Sequence, residues 1–264
     1  MCLILAAWQS HPRYPLVIAA NRDEFFRRPA AAATWWKSPG ELLAGRDLEA
    51  GGTWLGVSRS GRFAALTNFR EPSSHRAGTP SRGQLVAGFL GTSDSLAKAL
   101  TGLEDRSDAY NGFNLMLYDG TQFGVYESVG RRGRILPPGV YGLSNHLLDT
   151  AWPKVDRAKS RLANALHRLP DDEALLALLR DDRPAADDAL PQTGVSLEWE
   201  RLLSSAFIRA NGYGTRCSTI VLFGHDGEVS FSEFSWNERG EADGVVRERF
   251  APAVEHPIMR AEKP

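Results

Sequence analysis

Cys2 stands directly behind the initiator methionine, in the run MCLILAAW. Aminopeptidases remove Met1 when the next residue is small, and removal would leave Cys2 carrying both a thiol and the free α-amine of the chain. A nucleophile and a base on one residue suit attack on a carbonyl. The plainer role for such a cysteine is a small buried residue at the head of a strand. Four further stretches carry side chains that could assist it. Ala19-Ala20-Asn21-Arg22-Asp23-Glu24-Phe25 puts four polar residues after an apolar run. An arginine beside a cysteine favours the thiolate, and an aspartate can hold an α-ammonium; the alternative is a surface ion pair or a strand cap. Gly142-Leu143-Ser144-Asn145-His146 offers an amide donor to a developing oxyanion, worth about 3 kcal/mol in acyl-transfer enzymes, or else only a turn before a helix. Asn68, in Thr67-Asn68-Phe69-Arg70, is a second amide, and Arg216, in Gly214-Thr215-Arg216-Cys217-Ser218, a second guanidinium.

These residues can meet only if the elements between them bring them together. Leu3–Trp8 and Leu16–Ala20 read as strands joined around His11–Pro15, which would bring residues just past the second strand close to Cys2. Thr53–Ser58 pairs with Arg62–Asn68, Gly112–Tyr118 with Gln122–Glu127, and Ser218–Phe223 with Glu228–Phe234. The last two pairs flank Asp-Gly steps, a strong hairpin signal because both central turn residues take positive φ. Gly139–Leu143 reads as one more strand. Apolar residues at helical spacing mark Gln84–Leu90, Ser95–Leu103, a helix from Trp152 to Leu169 capped by Asp149 or Thr150, Glu173–Leu179 and Leu197–Phe207. Strands and helices come in blocks, so antiparallel sheets with segregated helical layers fit better than alternating βαβ units. Residues 181–194, rich in Asp, Pro and Ala, read as a mobile loop, and 252–264 as a tail on a single domain spanning 1–264.

Composition narrows the function classes. The 264 residues carry 31 basic and 32 acidic side chains, so no nucleic-acid footprint is expected. The cluster Arg131-Arg132-Gly133-Arg134 reads as a solvated turn. Two cysteines make no disulfide framework, and whether Cys2 pairs with Cys217 is open at this level. CxxC, CxxCH and HExxH are absent, so no metal site or resident cofactor is expected. No stretch reaches the roughly 18 apolar residues of a membrane span, and the chain reads as cytoplasmic. Gly51-Gly52-Thr53-Trp54-Leu55-Gly56 leads into a strand, so its glycines point to close backbone packing rather than to a phosphate loop.

MC at the start, ANRDEF, Trp35-Trp36, GGTWLG, AALTN, YNGFNL, GLSN and TRCST together resemble the NRDE family, also called the Transport and Golgi organisation 2 family. That family in turn resembles the N-terminal nucleophile hydrolases of the cholylglycine hydrolase and penicillin V acylase type. The resemblance implies an α+β fold, a four-layer αββα sandwich of two antiparallel sheets. It implies Cys2 as nucleophile, Arg22 and Asp23 as its charged neighbours, Asn145 as oxyanion asparagine, and Asn68 and Arg216 as looser matches. The acylases place two residues between the arginine and the aspartate, whereas here the two are adjacent. Asn21, Phe25, Trp35, Trp36 and Trp54 are the expected substrate-binding residues. Two functions follow as expectations: hydrolysis of a small-molecule acyl amide after loss of Met1, or non-catalytic binding and trafficking of an apolar ligand such as haem or acyl-CoA on the same fold.

Overall fold

The chain is described by a computed structural model at residues 2–38 and 41–253. Met1 and residues 254–264, most of the expected tail, lie outside the described residues. Strands β1 (Cys2–Trp8) and β2 (Leu16–Phe25) form the expected hairpin, with Cys2 opposite Arg22 and Trp8 opposite Leu16. Their side chains alternate between two cores, as the two-residue period of a strand requires. Ile4, Ala6, Trp8, Leu16, Ile18 and Ala20 enter one core, while Leu3, Leu5, Ala7, Val17 and Ala19 enter another. A strand apolar on both faces belongs inside a sheet covered on both sides.

The first sheet adds β10 (Gly139–Leu143) beside β1, and β12 (Tyr213–Phe223), β13 (Val229–Trp236) and β14 (Ala242–Phe250) beyond β2, with the short β11 (Arg209–Ala210) on β12. The second sheet runs β3 (Ala30–Trp36), β4 (Leu42–Asp47), β5 (Leu55–Ser58), β6 (Phe63–Asn68), β7 (Phe113–Tyr118), β8 (Phe123–Glu127) and β9 (Arg132–Ile135) in chain order. Every pairing in both sheets is antiparallel. Ile4, Ile18 and Val221 of the first sheet share a core with Leu43, Phe63 and Met116 of the second. Helices α1 (Gly83–Leu90) and α2 (Leu96–Arg106) cover the outer face of the second sheet, and α3 (Pro153–Leu166) and α4 (Glu173–Leu179) the outer face of the first. α5 (Leu197–Leu203) follows them. The molecule is thus the four-layer αββα sandwich that the sequence resemblance implies.

Several local readings need correction. Residues 21–25 do not follow the second strand; they are its last residues, Asn21 and Arg22 paired with both β1 and β12 and residues 23–25 with β12 alone. Arg132–Arg134 is not a turn but the start of β9, an edge strand on which charge discourages further pairing. β3, β4 and β14 carry no clean alternation, Ala30–Ala33 being short and β14 an exposed edge. Asp149 does not cap α3. It takes a positive φ of 58°, and its carboxylate accepts from Gly142 N at 2.8 Å and Lys159 Nζ at 2.6 Å; Trp152 holds the N-cap position, with Pro153 in the first turn. Residues 181–194 lack regular structure apart from a 3-10 turn at Asp187–Ala189, and are tied by Asp181 to Arg183 and Arg161 and by Asp187 to Arg201. No helix among the described residues is long and apolar enough to cross a membrane.

Candidate active site around Cys2

The strand register builds the site. Arg22 lies in the middle of three strands, with Cys2 across from it on β1 and Cys217 across from it on β12. Two cysteines on either side of one strand are about 10 Å apart, too far for a disulfide, and both are free. The open question of their pairing is answered by this geometry. Arg22, 5 % exposed, stacks its guanidinium 4.2 Å over the Trp54 ring and reaches Asp47 at 3.6 Å. Trp54 has room for this because Gly45 leaves the space its ring occupies: a Cβ there would come within 2.4 Å of the ring.

Asp23, next along the pleat, faces the helical layer instead. Thr215 Oγ1 donates to Asp23 Oδ1 at 2.7 Å and accepts from Ile208 N at 2.9 Å. Burial pushes the Asp23 carboxyl up, against the pull of Lys154, Thr215 and Arg22. Adjacency therefore separates the arginine and the aspartate onto opposite faces.

Asn145, fully buried in the turn after β10, joins the start of β1 to the end of β6. Its Oδ1 accepts from Cys2 N at 3.4 Å, its Nδ2 donates to Asn68 O at 2.8 Å, and its own carbonyl accepts from Arg70 N at 2.7 Å. Ser144 Oγ donates to Cys2 O at 3.0 Å. Both sides of the Cys2 backbone are thus held by the Ser144-Asn145 turn.

A cleft of about 640 Å³ opens over this floor, lined by Cys2, Arg22, Trp54 and Asn68, by Arg28 and Asp47, and by the segment 75–84. Cys2 is half-buried, and the protein around its sulfur pushes the thiol up. The Asp23 charge adds to that rise; Arg22 and the Asp23 backbone N–H oppose it without reversing it. Arg22 does pull toward the thiolate, as expected, but its charge is shared with Asp47 and the Trp54 face, and burial outweighs it. Cys217, wholly enclosed beside Glu233, is pushed much higher.

The remaining expected residues fall elsewhere. Asn21 is structural, its Nδ2 donating to Leu179 O and Ala206 O and its Oδ1 accepting from Ser218 Oγ. Arg216 is the extra residue of a β-bulge in β12; its guanidinium donates to the carbonyls of Phe25 and Arg28 and does not line the cleft. Phe25 stacks edge-on with Tyr213 at 4.9 Å, Trp35 with Phe250 at 5.0 Å, and Trp36 donates to Ala44 O under the helices. Of the expected aromatic pocket, only Trp54 lines the cleft. His146 pairs with Thr150 and packs against Phe69 and Trp152.

Sequence reasoning missed a second, buried group behind Asp23. Lys154, 2 % exposed in the first turn of α3, has no hydrogen-bond partner on its Nζ. Burial lowers it to about 8, opposed by the charge of Asp23. The Tyr213 hydroxyl is likewise buried without a partner, and Arg70 and Glu200 form a buried pair at 2.9 Å. A lysine in the opening turn of a helix ordinarily reads as solvated, so nothing local marked it. The described residues hold no group of three or more His, Cys, Asp or Glu side chains that could bind a metal.

Comparison with known proteins places this arrangement in context. Residues 1–238 match the Transport and Golgi organisation 2 family. The Transport and Golgi organization protein 2 homolog of Bos taurus is 39% identical over 259 residues, covering 89% of this chain and 93% of that one. Its Homo sapiens counterpart is 37% identical over 261 residues, covering 90% and 94%. Among solved structures, the Caenorhabditis elegans N-acylethanolamine-hydrolyzing acid amidase ortholog gives a TM-score of 0.47 at 10% identity, covering 84% of this chain and 92% of that one. A mutant conjugated bile acid hydrolase from Clostridium perfringens gives 0.44 at 13% identity, covering 97% and 100%. Likenesses at TM-scores below 0.5 bear on neither substrate nor mechanism.

Proposed function

This chain belongs to the Transport and Golgi organisation 2 family, and from that premise we propose that it hydrolyses a linear acyl amide with Cys2 as N-terminal nucleophile once Met1 is removed. One observation carries the reading: Cys2 lies on the floor of the cleft opposite Arg22, with its nitrogen 3.4 Å from the buried Asn145 Oδ1. A thiol raised by burial is protonated at rest and needs a base at the moment of attack. The α-amine of Cys2, with an ordinary pKa of about 8, is that base, and the Asn145 oxygen orients it by accepting one of its hydrogens.

The amine takes the Sγ proton as sulfur bonds to the carbonyl carbon, and the carbonyl electrons pass to its oxygen. Asn68, which lines the cleft, is the side-chain donor to that oxyanion, while the fully buried Asn145 holds the Cys2 nitrogen. Collapse breaks the C–N bond, and the leaving nitrogen receives the proton from the ammonium. Water, deprotonated by the same amine, then cleaves the thioester to release a carboxylic acid and restore the thiol. Arg22 is a positioning residue held by Trp54 and Asp47. Two free thiols suit a reducing compartment such as the cytoplasm.

The test is turnover of a chromogenic acyl amide by wild type, Cys2→Ser and Cys217→Ser. Loss of the nucleophile lowers kcat by about three orders of magnitude or more, while Cys217→Ser keeps it. Equal rates in wild type and Cys2→Ser would remove the nucleophile role. The arginines that line the cleft also suit a second reading, binding of a ligand such as acyl-CoA or haem through its anionic groups without chemistry. Its sign is affinity for either ligand that survives Cys2→Ala.

A further inference from the structure

One wall of the cleft is the continuous segment His75-Arg76-Ala77-Gly78-Thr79-Pro80-Ser81-Arg82-Gly83-Gln84. It contains two arginines and no carboxylate. The cleft's acids are largely committed elsewhere. Asp47 pairs with Arg28 at 2.7 Å and with Arg22 at 3.6 Å, and Glu49 pairs with Arg28 at 3.2 Å. Asp23 turns its carboxylate to Thr215 on the other face of β2. Glu24, on the β2 side, accepts from Phe25 N at 2.8 Å and makes no ion pair among the described residues.

Neither wall arginine has an anionic partner among the described residues. Arg82 Nη1 donates to Gly112 O at 3.0 Å, and Arg76 Nη2 donates to Asp108 O and Tyr110 O. Carbonyls fix the direction of these guanidinium groups and leave their charge unbalanced. Arg82 is half-buried, and burial lowers its pKa with the neighbouring Arg28 charge adding to the drop, while Cys2 and Glu24 oppose it from a distance without contacting the guanidinium. A cation held partly away from water without a counter-charge is a cost that a bound anion would offset. Arg82 also occupies the N-cap position of α1, whose first turn adds partial positive charge at the same place.

We propose that this wall is a subsite for an anionic group (carboxylate, sulfonate or phosphate) on the molecule whose carbonyl Cys2 attacks. The assignment deepens the amidohydrolase reading by giving its substrate a charge, but the subsite's preference for anions does not depend on turnover. Planar or tetrahedral oxyanions suit the guanidinium fork of Arg82, with Arg76 at the rim.

The experiment compares the rates at which iodoacetate and iodoacetamide alkylate Cys2, mapped by peptide mass, with a short unstructured cysteine peptide as reference. The expected result is a preference for iodoacetate several-fold above the reference at low salt. The preference falls to the reference in Arg82→Gln, is kept in Arg82→Lys, and rises in Glu24→Gln. Arg76→Gln, on an exposed side chain, lowers it in part and carries little risk to folding. Protection of Cys2 by acetate, methanesulfonate or inorganic phosphate ranks the three anions. A thermal-shift titration with the same anions serves if the thiol alkylates too slowly, the expected result being a shift that Arg82→Gln abolishes. A ratio equal to the reference, or one unchanged in Arg82→Gln, would overturn the subsite, as would the absence of any anion-induced shift. A protein with anion preference and no turnover would fail only the hydrolase reading; turnover without the preference would fail only the subsite.

Discussion

Cys2 is a weak acid where it stands, and the chemistry assigned to it depends on that. Arg22 alone would lower the thiol, yet burial outweighs it, so a base on the same residue supplies what the arginine cannot. Behind it, Lys154 makes a separate prediction. Its folded pKa of about 8 lies below the ordinary 10.5, so between those values the unfolded chain binds the extra proton and stability rises with pH. The rise amounts to roughly 3 kcal/mol across that window, at about 1.4 kcal/mol per unit. Urea midpoints at pH 7.5 and 9.5 should therefore climb in wild type relative to Lys154→Met; parallel behaviour of the two proteins would contradict this. The residues visible in the sequence were those with unusual positions, a cysteine at the chain start and four polar residues ending an apolar run. Lys154 and Tyr213 look ordinary in sequence, because their burial is created by strands far away in the chain.

Among the elements, β2 does most to build the site, since its register with β1 and β12 sets Cys2, Arg22 and Cys217 in one row. Its length was underestimated because Asn21–Glu24 looks like the polar end of a strand. Partners on both faces, Ser218 and Thr215 on one and Asp47 on the other, make such residues acceptable inside a sheet. The Asp-Gly hairpins pair as expected, although only the glycine of each step, Gly120 and Gly227, takes the positive φ expected of both residues. In the glycine-rich Gly51–Gly56 stretch, Gly52 and Gly56 pack closely as expected, whereas Gly51 faces open space and takes a positive φ of 75°. A Cβ on Gly52 would come within 2.5 Å of the Gly83 carbonyl carbon, at the start of α1 and the cleft wall. Gly52→Val should cost about 1–3 kcal/mol in a denaturant titration. Gly88→Ala, facing open space on the same helix, should gain up to about 1 kcal/mol. Equal midpoints for both variants would count against the close approach.

At the scale of the whole molecule, the site lies where the start of β1, the ends of β2 and β6, and the turn after β10 converge at one end of the sandwich. That convergence could not be read locally, because β1 meets β10 across about half of the chain and β2 meets β12 across most of it. Only the family resemblance reached it. The Arg70–Glu200 pair links the exit of β6, on the second sheet, to α5, near the first, and Arg70 N also holds Asn145 O. Glu200→Gln leaves the buried guanidinium short of its counter-charge and should cost about 3 kcal/mol or more in a urea titration; an unchanged midpoint would mean the layers are held together by packing alone. The central claim is that an acyl group passes through Cys2, and acid quenching during turnover of a chromogenic acyl amide, followed by intact and peptide mass measurement, tests it most directly. The expected species is a chain lacking Met1 that carries the acyl group as a thioester on Cys2. Turnover with no adduct on Cys2, or turnover by a chain that still carries Met1, would contradict it.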